Sequence, residues 1–378
     1  MRRMKEREGS TRMTHGRMEP ADSMTLGEAR FEAQKLVFGP LLFQATRLLR
    51  DLGILRALRA ARGSLSLEEI TAKVEVSRYG ALVLLEAGLA AGVVHREGEH
   101  YVLTKVGACV LTDEITGVNL DVVQNCCFQA SFYLEDSIRE AKPVGLHKIF
   151  GEWETIYPAL TELPPAARDS WFKWDHYFSD EAFPEALPLV FERRPGRLLD
   201  IGGNTGKFAI ACAAYSPDVR VTILDHPGQL EVAARDSAAR GFKDRISVHP
   251  IDLLDHRKPY PRGYDAIWMS QFLVCFSEEN VVQLLRRAAA AMGPESRLYI
   301  LDTFWDRQEA PASAYALQAS SLYFTFLANG VSRMYKAADI IAMLQTAGLE
   351  VERETGILGV CSTLLICQKA SRVSAARD

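Results

Sequence analysis

The sequence predicts an α/β protein in which a doubly wound, mostly parallel, seven-stranded sheet follows an all-α domain with a winged helix. Apolar runs of strand length alternate with helical segments from Arg197 onward, which is typical of parallel sheets covered by helices on both faces. Upstream, helical spacing of apolar residues ends in a hairpin pattern. The length of 378 residues also favours two domains. We therefore predict a disordered tail (1–25), a helical winged-helix domain with a substrate lid (26–190) and a ligand-binding α/β domain (191–378).

The composition is that of an ordinary soluble protein. It is 48% hydrophobic with a formal charge of −4, so no basic excess favours nucleic acid. The seven cysteines contain no C-x-x-C pair, which indicates free thiols in a reducing compartment and predicts a cytoplasmic protein. No apolar run reaches the length of a membrane span, and no carboxylate cluster has the spacing of metal ligands. The Met- and Arg-rich region 1–25 lacks the apolar core of a signal peptide and is interpreted as a disordered tail.

The first predicted helical region covers residues 26–61. Its apolar side chains follow helical spacing, and a break is expected at Gly39-Pro40 because proline removes a helix hydrogen bond. The apolar face is too wide for a helix near a chain terminus to leave in water. We therefore expect it to pack against a second subunit.

A winged helix is predicted next. Ser66 is a suitable cap for a short helix, an apolar helix covers 79–91, and 93–104 has the pattern of a β-hairpin. Because winged helices often bind DNA, a DNA-binding regulator is one hypothesis. However, a recognition helix needs several basic or amide side chains, and this helix carries Arg78 followed mostly by Ala, Leu, Val and Gly. We therefore expect a packing element and no nucleic-acid partner.

Residues 105–190 are predicted to be mostly helical, and the segment 171–180 mixes large rings with titratable groups. Trp174 and Tyr177 offer aromatic faces that can hold a flat substrate or contact a cation. His176 lies in the same segment, flanked by acids, and is a candidate base. The alternative role for these rings is packing of one domain on the other.

The most informative stretch is a glycine-rich turn between a strand and a helix. The apolar run 197–201 precedes Gly202, Gly203 and Gly206, and a second apolar run ends at Asp225, about 20 residues farther on. This pattern indicates a nucleotide-type ligand, with the acid placed to bind ribose hydroxyls. The glycines stand at i, i+1 and i+4, whereas a dinucleotide fingerprint has them at i, i+2 and i+5.

Asp200 decides which ligand fits best. It stands at the end of the first strand, just before the glycine turn. A carboxylate there repels a pyrophosphate and attracts an ammonium or sulfonium group. The predicted cofactor is therefore S-adenosylmethionine (SAM), with NAD and an ordinary glycine-rich turn as the alternatives.

The remaining strands are predicted at 246–251, 264–270 and 297–302, with 349–356 and 362–368 forming an antiparallel edge. Ligands of such a Rossmann-like sheet bind at the carboxyl ends of its strands. Polar residues at these ends form the predicted site: Asp200, Asp225, Asp252, Ser270, Gln271 and Asp302.

With these motifs the chain resembles the class I SAM-dependent methyltransferases. More narrowly, it is similar to the dimeric small-molecule O-methyltransferases with an N-terminal winged-helix dimerisation domain. The resemblance covers roughly residues 30–370 and is most specific in Leu199–Gly206, the family's glycine motif. It implies a homodimer formed through the N-terminal helices, a SAM-binding domain at 191–378 and a small aromatic acceptor.

The resemblance also implies which residues bind SAM. Asp225 and His226 correspond to the segment at the ribose, and Asp252 and Leu253 to the pair that flanks the adenine. The full set of expected SAM contacts is Asp200, Gly202, Gly203, Gly206, Asp225, His226, Asp252, Leu253, Ser270 and Gln271.

The catalytic segment departs from the family pattern. In the family, the fourth strand runs into Lys-x-x-x-His-Asp-Trp, whose His is the general base; in this chain 270–276 aligns and the His position is Val274. The chain has no histidine after His256. Of the two Glu residues that orient the family's His, one matches Asp302 and the other falls at about Ser332.

Three functions follow as alternatives. Methylation of a ring carbon ortho to a phenolic hydroxyl is favoured, because an apolar wall at 274–276 suits a ring better than a proton shuttle. O-methylation with His176 as another base is the second, since a base contributes about 10²–10⁴-fold but much of the acceleration survives without one. SAM binding without methyl transfer is the third. The expected catalytic residues are His176 and Asp302, and the expected substrate contacts are Trp174, Tyr177, Phe272, Val274 and Tyr323.

Overall fold

The computed structural model describes residues 24–371, which form two compact units, one ending at Asp121 and the other beginning at Val122. The predicted tail lies outside the described residues, apart from Met24 and Thr25. A helix with both the length and the apolar character to span a bilayer does not occur in this described part of the chain.

The division between the units differs from the predicted boundary at 190/191. Residues 122–190 group with the sheet in the second unit. Phe183, for example, meets Trp268 of the sheet edge to face, with ring centroids 6.4 Å apart. The helical segment before the sheet is thus part of the second unit's core.

The first unit is helical apart from a small antiparallel sheet. Its core is built from the apolar faces of its helices, with Leu49, Ile54 and Leu85 completely buried. The helices are α1 (Leu26–Asp51), α2 (Ile54–Ala61), α3 (Leu67–Thr71), α4 (Arg78–Ala90), α5 (Lys105–Thr112) and α6 (Glu114–Val122), and the strands are β1 (Ser64–Ser66), β2 (Val94–Glu97) and β3 (His100–Leu103).

The break expected at Gly39-Pro40 is wrong. Helix α1 continues through Pro40 and is 26 residues long. Proline removes only one backbone N–H, and the remaining backbone hydrogen bonds of this long helix carry it through that turn. The chain breaks instead at Gly53, whose φ of 84° lies in the left-handed region that favours glycine.

The predicted winged helix is confirmed. The Ser66 hydroxyl accepts a hydrogen bond from the Glu69 N–H at 3.2 Å, while the Ser66 N–H donates to the Glu69 carboxylate at 2.8 Å. The strands pair in the order β1-β3-β2, and Gly98, with φ of 60°, lies at the tip of the hairpin. Helix α4 buries Leu85 and Gly88, so it packs inward.

The second unit places helices before the sheet and on both of its faces. Two wider turns of π type occur at Val123–Cys127 and Phe324–Ala328, and a short 3₁₀ turn at Leu273–Cys275. The helices are α7 (Phe128–Ala130), α8 (Leu134–Glu140), α9 (Val144–Ile149), α10 (Ile156–Ala159), α11 (Pro165–Ser179), α12 (Phe183–Phe191), α13 (Lys207–Tyr215), α14 (Pro227–Ala239), α15 (Glu278–Ala291), α16 (Pro311–Ser320) and α17 (Ala337–Thr346). The strands are β4 (Arg197–Ile201), β5 (Arg220–Asp225), β6 (Ile246–Pro250), β7 (Ala266–Ser270), β8 (Arg297–Asp302), β9 (Leu349–Leu358) and β10 (Ser362–Lys369).

The sheet has the order β6-β5-β4-β7-β8-β10-β9. Strands β4 to β8 pair in parallel, and β10 runs antiparallel between β8 and β9, so the predicted seven-stranded sheet and its antiparallel edge are confirmed. In β4, Leu198, Leu199 and Ile201 are fully buried because helices cover both faces. Strand order reverses at β4, so a crevice for ligands opens at the carboxyl ends of β4 and β7.

Candidate functional site

The glycine turn after β4 leaves no room for side chains at its first two positions. Gly202 has φ of 73°, and the ring of Phe272 packs where its Cβ would lie. At Gly203, a Cβ would come within 2.7 Å of Oδ2 of Asp200. Gly206, with φ of 79°, precedes the first turn of α13. The turn therefore brings bare backbone to the crevice, which lets a ligand approach closely.

Asp200 supplies the charge beside this turn. It is 2% exposed, and its Oδ2 atom is buried with no hydrogen-bond partner among residues 24–371. Burial, and to a smaller extent the nearby Asp225, raises the pKa of Asp200 to about 8. A cation brought next to a buried carboxyl stabilises its ionised form, so this orphaned oxygen fits the sulfonium or ammonium group of SAM.

Asp225 ends β5 and is held by backbone groups. Its Oδ2 accepts a hydrogen bond from the Asn204 N–H at 2.8 Å, and its Oδ1 accepts one from the His226 N–H at 2.7 Å. Burial raises the pKa of Asp225, although these two bonds oppose the shift. Each carboxylate oxygen keeps another lone pair for a ribose hydroxyl. The His226 side chain is exposed, so its backbone rather than its imidazole supports Asp225.

Asp252 and Leu253 follow β6 at the same edge of the sheet. Asp252 is exposed, and its Oδ1 accepts a hydrogen bond from the Leu254 N–H at 2.9 Å. Leu253 is 4% exposed, and its carbonyl accepts a hydrogen bond from Nη1 of Arg287 at 2.5 Å. Asp252 and Leu253 thus offer the two kinds of contact that an adenine needs, a hydrogen bond to its polar edge and apolar packing against its face.

Ser270 and Gln271 lie where β7 ends. The Ser270 hydroxyl and Nε2 of Gln271 are buried without hydrogen-bond partners in residues 24–371. Gln271 also has φ of 50°, which is uncommon for a residue with a Cβ. Unpartnered buried polar atoms and a strained backbone are typical of ligand sites. The structure thus places all ten residues expected to contact SAM at or just beyond the ends of β4, β5, β6 and β7.

Asp302 occupies the next carboxyl end, that of β8. It is 3% exposed; its Oδ1 accepts a hydrogen bond from the Thr303 N–H at 2.8 Å, and its Oδ2 has no such bond within the described residues. Burial raises the pKa of Asp302 to about 7, although the Thr303 bond opposes the shift. A carboxyl with a pKa near neutrality is suited to accept a proton from a substrate.

The turn Leu273–Cys275 carries Val274, the residue at the expected position of an imidazole base. Val274 and Phe272 are each 7% exposed. Phe272 packs edge to face on Phe276, with ring centroids 4.8 Å apart, in addition to covering Gly202. These side chains form an apolar wall, and none of them transfers protons.

Behind this wall lies the thiol of Cys275. Burial raises its pKa to about 12, and the carboxyls of Asp175, Asp302 and Asp225 add to the effect. The thiol therefore stays protonated near pH 7. Burial and the nearby Asp180 raise the pKa of Asp175 to about 7. Carboxyl groups from α11, β5 and β8 thus converge on the region of Cys275.

An aromatic cluster covers the same region. Nε1 of Trp171 donates a hydrogen bond to the Tyr323 hydroxyl at 2.6 Å. Trp174 meets Tyr323 with ring centroids 5.4 Å apart and Phe178 at 5.8 Å. Tyr177 joins through Phe178, also at 5.8 Å. The structure therefore brings three of the aromatic residues expected to contact the substrate, Trp174, Tyr177 and Tyr323, into one cluster.

His176 lies on the side of α11 toward the first turn of α13. Its ring stacks on Phe172 at 5.9 Å, and its Nδ1 is 3.9 Å from Oδ1 of Asp180, whose other oxygen is 2.5 Å from Nζ of Lys207. Burial, followed by the charge of Lys207, lowers the pKa of His176, and Asp180 opposes the shift. The imidazole is therefore neutral near pH 7.

Sequence reasoning missed two polar side chains of this region. Asp175 could have been found, because it lies four residues from Trp171 and three from Phe178 and so shares their helix face. Tyr157 gave no signal, because only the tertiary fold packs α10 against the turn Phe324–Ala328. Between residues 24 and 371, no three His, Cys, Asp or Glu side chains are grouped as metal ligands.

Two protein families match parts of the chain. Residues 30–101 match a Dimerisation2-like domain, and residues 189–350 match an O-methyltransferase domain. L-tyrosine C(3)-methyltransferase of Streptomyces lavendulae is 26% identical over 340 residues, covering 88% of this chain and 91% of the relative. Mitomycin biosynthesis 6-O-methyltransferase of the same organism is 32% identical over 155 residues, covering 41% of this chain and 42% of the relative.

A solved structure extends the likeness to the whole fold. The apo crystal structure of the S-adenosylmethionine-dependent methyltransferase SibL matches with a TM-score of 0.69 at 28% identity. The match covers 90% of this chain and 99% of the SibL chain. Both matched domains therefore lie within the shared fold.

Proposed function

Because this chain belongs to the SAM-dependent small-molecule methyltransferases with an N-terminal dimerisation-type domain, we propose that it methylates a ring carbon of a phenolic natural product. The observation that carries the choice of carbon is Val274, buried and apolar at the position expected for an imidazole base. An apolar wall suits the edge of an aromatic ring, whereas a hydroxyl placed there would lack a proton acceptor. The relative L-tyrosine C(3)-methyltransferase supports this choice, since carbon 3 of tyrosine is ortho to the hydroxyl.

SAM is assigned to the crevice at β4 and β5. Asp200 would lie at its cationic end, Asp225 at its ribose, and Asp252 with Leu253 at its adenine. When bound, SAM supplies an electrophilic methyl group on a sulfonium centre. The chain's own contribution is to hold donor and acceptor in line, which accounts for much of the acceleration in such displacements.

Asp302 is assigned as the proton acceptor. Its unpartnered Oδ2 takes the hydroxyl proton of the acceptor, which makes the ortho carbon nucleophilic as that carbon forms its bond to the methyl group. The methylated carbon then loses its hydrogen as a proton, and the ring becomes aromatic again. One proton is released for each methyl group gained, and S-adenosylhomocysteine leaves. Transfer of a proton from the phenol to Asp302 keeps the charge of the pair unchanged, which suits a buried site.

O-methylation is the second candidate. It is favoured by His176, whose neutral and half-buried imidazole is in the protonation state required of a base. The mitomycin 6-O-methyltransferase among the relatives also supports it. In that case a phenolic oxygen, rather than a ring carbon, would take the methyl group.

Product analysis distinguishes the two candidates. The protein is incubated with SAM carrying a carbon-13 methyl group and, separately, with L-tyrosine, tyramine and 3-(4-hydroxyphenyl)propionate as probe phenols. Carbon-13 NMR separates an aryl methyl carbon from a methoxy carbon. We expect an aryl methyl product; a methoxy product would overturn the ring-carbon assignment in favour of O-methylation.

We further propose a homodimer formed through α1. Leu36, Val37 and Leu41 are 79%, 66% and 68% exposed in the single chain, which is unusual for large apolar side chains close together. The match of residues 30–101 to a Dimerisation2-like domain supports this assembly. The cytoplasmic location and the lack of a nucleic-acid partner stay predictions from composition.

A further inference from the structure

The hydroxyl of Tyr157 is a buried polar group that the proposed mechanism does not yet use. It is inaccessible to solvent and has no hydrogen-bond partner in the described part of the chain. A buried hydroxyl without a partner is unfavourable for folding, so such a group in a native protein calls for an explanation. One explanation is that an oxygen atom of a bound ligand accepts a hydrogen bond from this hydroxyl.

The groups around Tyr157 are already committed. Nδ2 of Asn329 donates to the carbonyl of Cys275 at 2.9 Å and to the Ser332 hydroxyl at 2.7 Å. Oδ1 of Asn329 accepts from the N–H groups of Val331 and Ser332, both at 2.9 Å. The Asn329 side chain therefore holds the chain beside Cys275 in place and has no capacity left for Tyr157.

A second tyrosine hydroxyl lies nearby with its own proton unused. Tyr323 accepts the hydrogen bond of Trp171, and since an indole N–H only donates, the Tyr323 proton remains available. Helix α10, which carries Tyr157, packs against the turn Phe324–Ala328 that directly follows Tyr323. Asn329, at the end of that turn, bonds the carbonyl of Cys275 and so ties this segment to Cys275. Burial raises the pKa of both phenols, so both stay protonated and can donate.

We propose that the hydroxyls of Tyr157 and Tyr323 donate hydrogen bonds to the oxygen of the phenolic acceptor. The two donors lie beside Cys275, directly after the residue that replaces the imidazole base. They stabilise the negative charge that develops on the acceptor oxygen as Asp302 takes its proton, in the manner of an oxyanion hole. This inference rests on the proposed function, and it assigns Tyr157 a role in that reaction.

The pair of donors also determines which acceptors react. A site built to hydrogen-bond an oxygen discriminates strongly against an analogue that lacks it, because its buried donors are then left unpaired. The acceptor is therefore a ring with a free hydroxyl or its keto form. L-phenylalanine, which matches L-tyrosine except for that hydroxyl, is not methylated.

The test is Tyr157→Phe, which removes only the hydroxyl. With labelled SAM and L-tyrosine, tyramine and 3-(4-hydroxyphenyl)propionate, we expect kcat/KM to fall at least about tenfold for every phenol that the wild type methylates. We expect SAM affinity, measured by calorimetry, to stay unchanged and Tm to stay equal or rise, since an unpartnered hydroxyl is removed. A matched control is Tyr260→Phe, which removes another buried, unpartnered hydroxyl and should leave kcat/KM unchanged.

The outcomes test the donor role of Tyr157 separately from the proposed function. Wild-type methyl transfer that Tyr157→Phe leaves at full kcat/KM would overturn the donor role of Tyr157 alone. Failure of the wild type to methylate any of the three phenols would count against the proposed function itself. A fall in kcat/KM accompanied by an equal loss of SAM affinity or of Tm would show that Tyr157 supports the fold rather than the acceptor, and would also overturn the inference.

Discussion

A Cβ placed on Gly203 would lie 2.7 Å from Oδ2 of Asp200, an oxygen with no hydrogen-bond partner in the part of the chain that the structure describes. A methyl group at this position must therefore displace either the turn or the carboxylate. Both the turn and the carboxylate are assigned to the SAM site. A side chain at residue 203 would therefore disturb the backbone and the negative charge of that site together.

Gly203→Ala is expected to weaken SAM binding at least about tenfold, because overpacking at a rigid turn is costly and moves the carboxylate. Isothermal calorimetry with SAM and S-adenosylhomocysteine measures the effect. Gly356→Ala is the matched control, since a Cβ there meets nothing within 4 Å. Equal SAM affinity in the Gly203 variant and the wild type would remove this site assignment.

The stability of the SAM-free protein is expected to fall as pH rises. Asp175, Asp200 and Asp302 have pKa values of about 7, 8 and 7, against an ordinary value of 3.8. Between these limits the folded state binds more protons than the unfolded chain, so the free energy of unfolding decreases from about pH 4 to about pH 8. His176, whose pKa is lowered, acts in the opposite direction, but only up to its ordinary value of 6.5.

Urea unfolding at several pH values between 5 and 8 checks this dependence. Asp200→Asn removes one of these titrating carboxyls and should make the decrease with pH shallower. The exposed Asp218→Asn is the control and should follow the wild type. A wild-type stability that rises over this range, or an Asp200→Asn curve parallel to it, would contradict the prediction.

Asp302→Asn is expected to lower kcat at least about tenfold, because the amide cannot accept the acceptor's proton. The wild-type rate should rise with pH around 7 as Asp302 ionises, and the variant should lose this rise. His176→Ala should reduce kcat by less than about tenfold. The reverse order of the two variants, measured as a pH–rate profile with the same probe phenol, would favour O-methylation with His176 as base.

The double variant Leu36→Glu/Leu41→Glu is expected to be monomeric where the wild type is dimeric, because burying two charges in an apolar interface is strongly unfavourable. Size-exclusion chromatography with light scattering measures the mass. Arg257→Glu, at a side chain that is 90% exposed, is the charge-changing control and should keep the wild-type mass. A wild-type monomer, or a dimer that survives both glutamates, would rule out this interface.

Much of the fold could be predicted from the sequence, because strand and helix periodicity and turn residues act locally. The apolar run at β4, the glycines after it and the acids at successive strand ends stand in order along the chain. A parallel sheet necessarily brings the carboxyl ends of neighbouring strands to one edge. The residues expected to contact SAM were predicted in this way. The path of α1 through Pro40 was not, since the loss of one backbone hydrogen bond did not end so long a helix.

The sequence by itself thus determined the order of the elements, the crevice for SAM and the loss of an imidazole at Val274. Only the tertiary structure decided which side chains from distant segments lie together beside the proposed site. Trp171 and Tyr323 are 152 residues apart in sequence yet share a hydrogen bond, and α10, which carries Tyr157, packs against the distant turn Phe324–Ala328. Contacts of this kind depend on side-chain packing between distant segments, and no local periodicity or spacing encodes them.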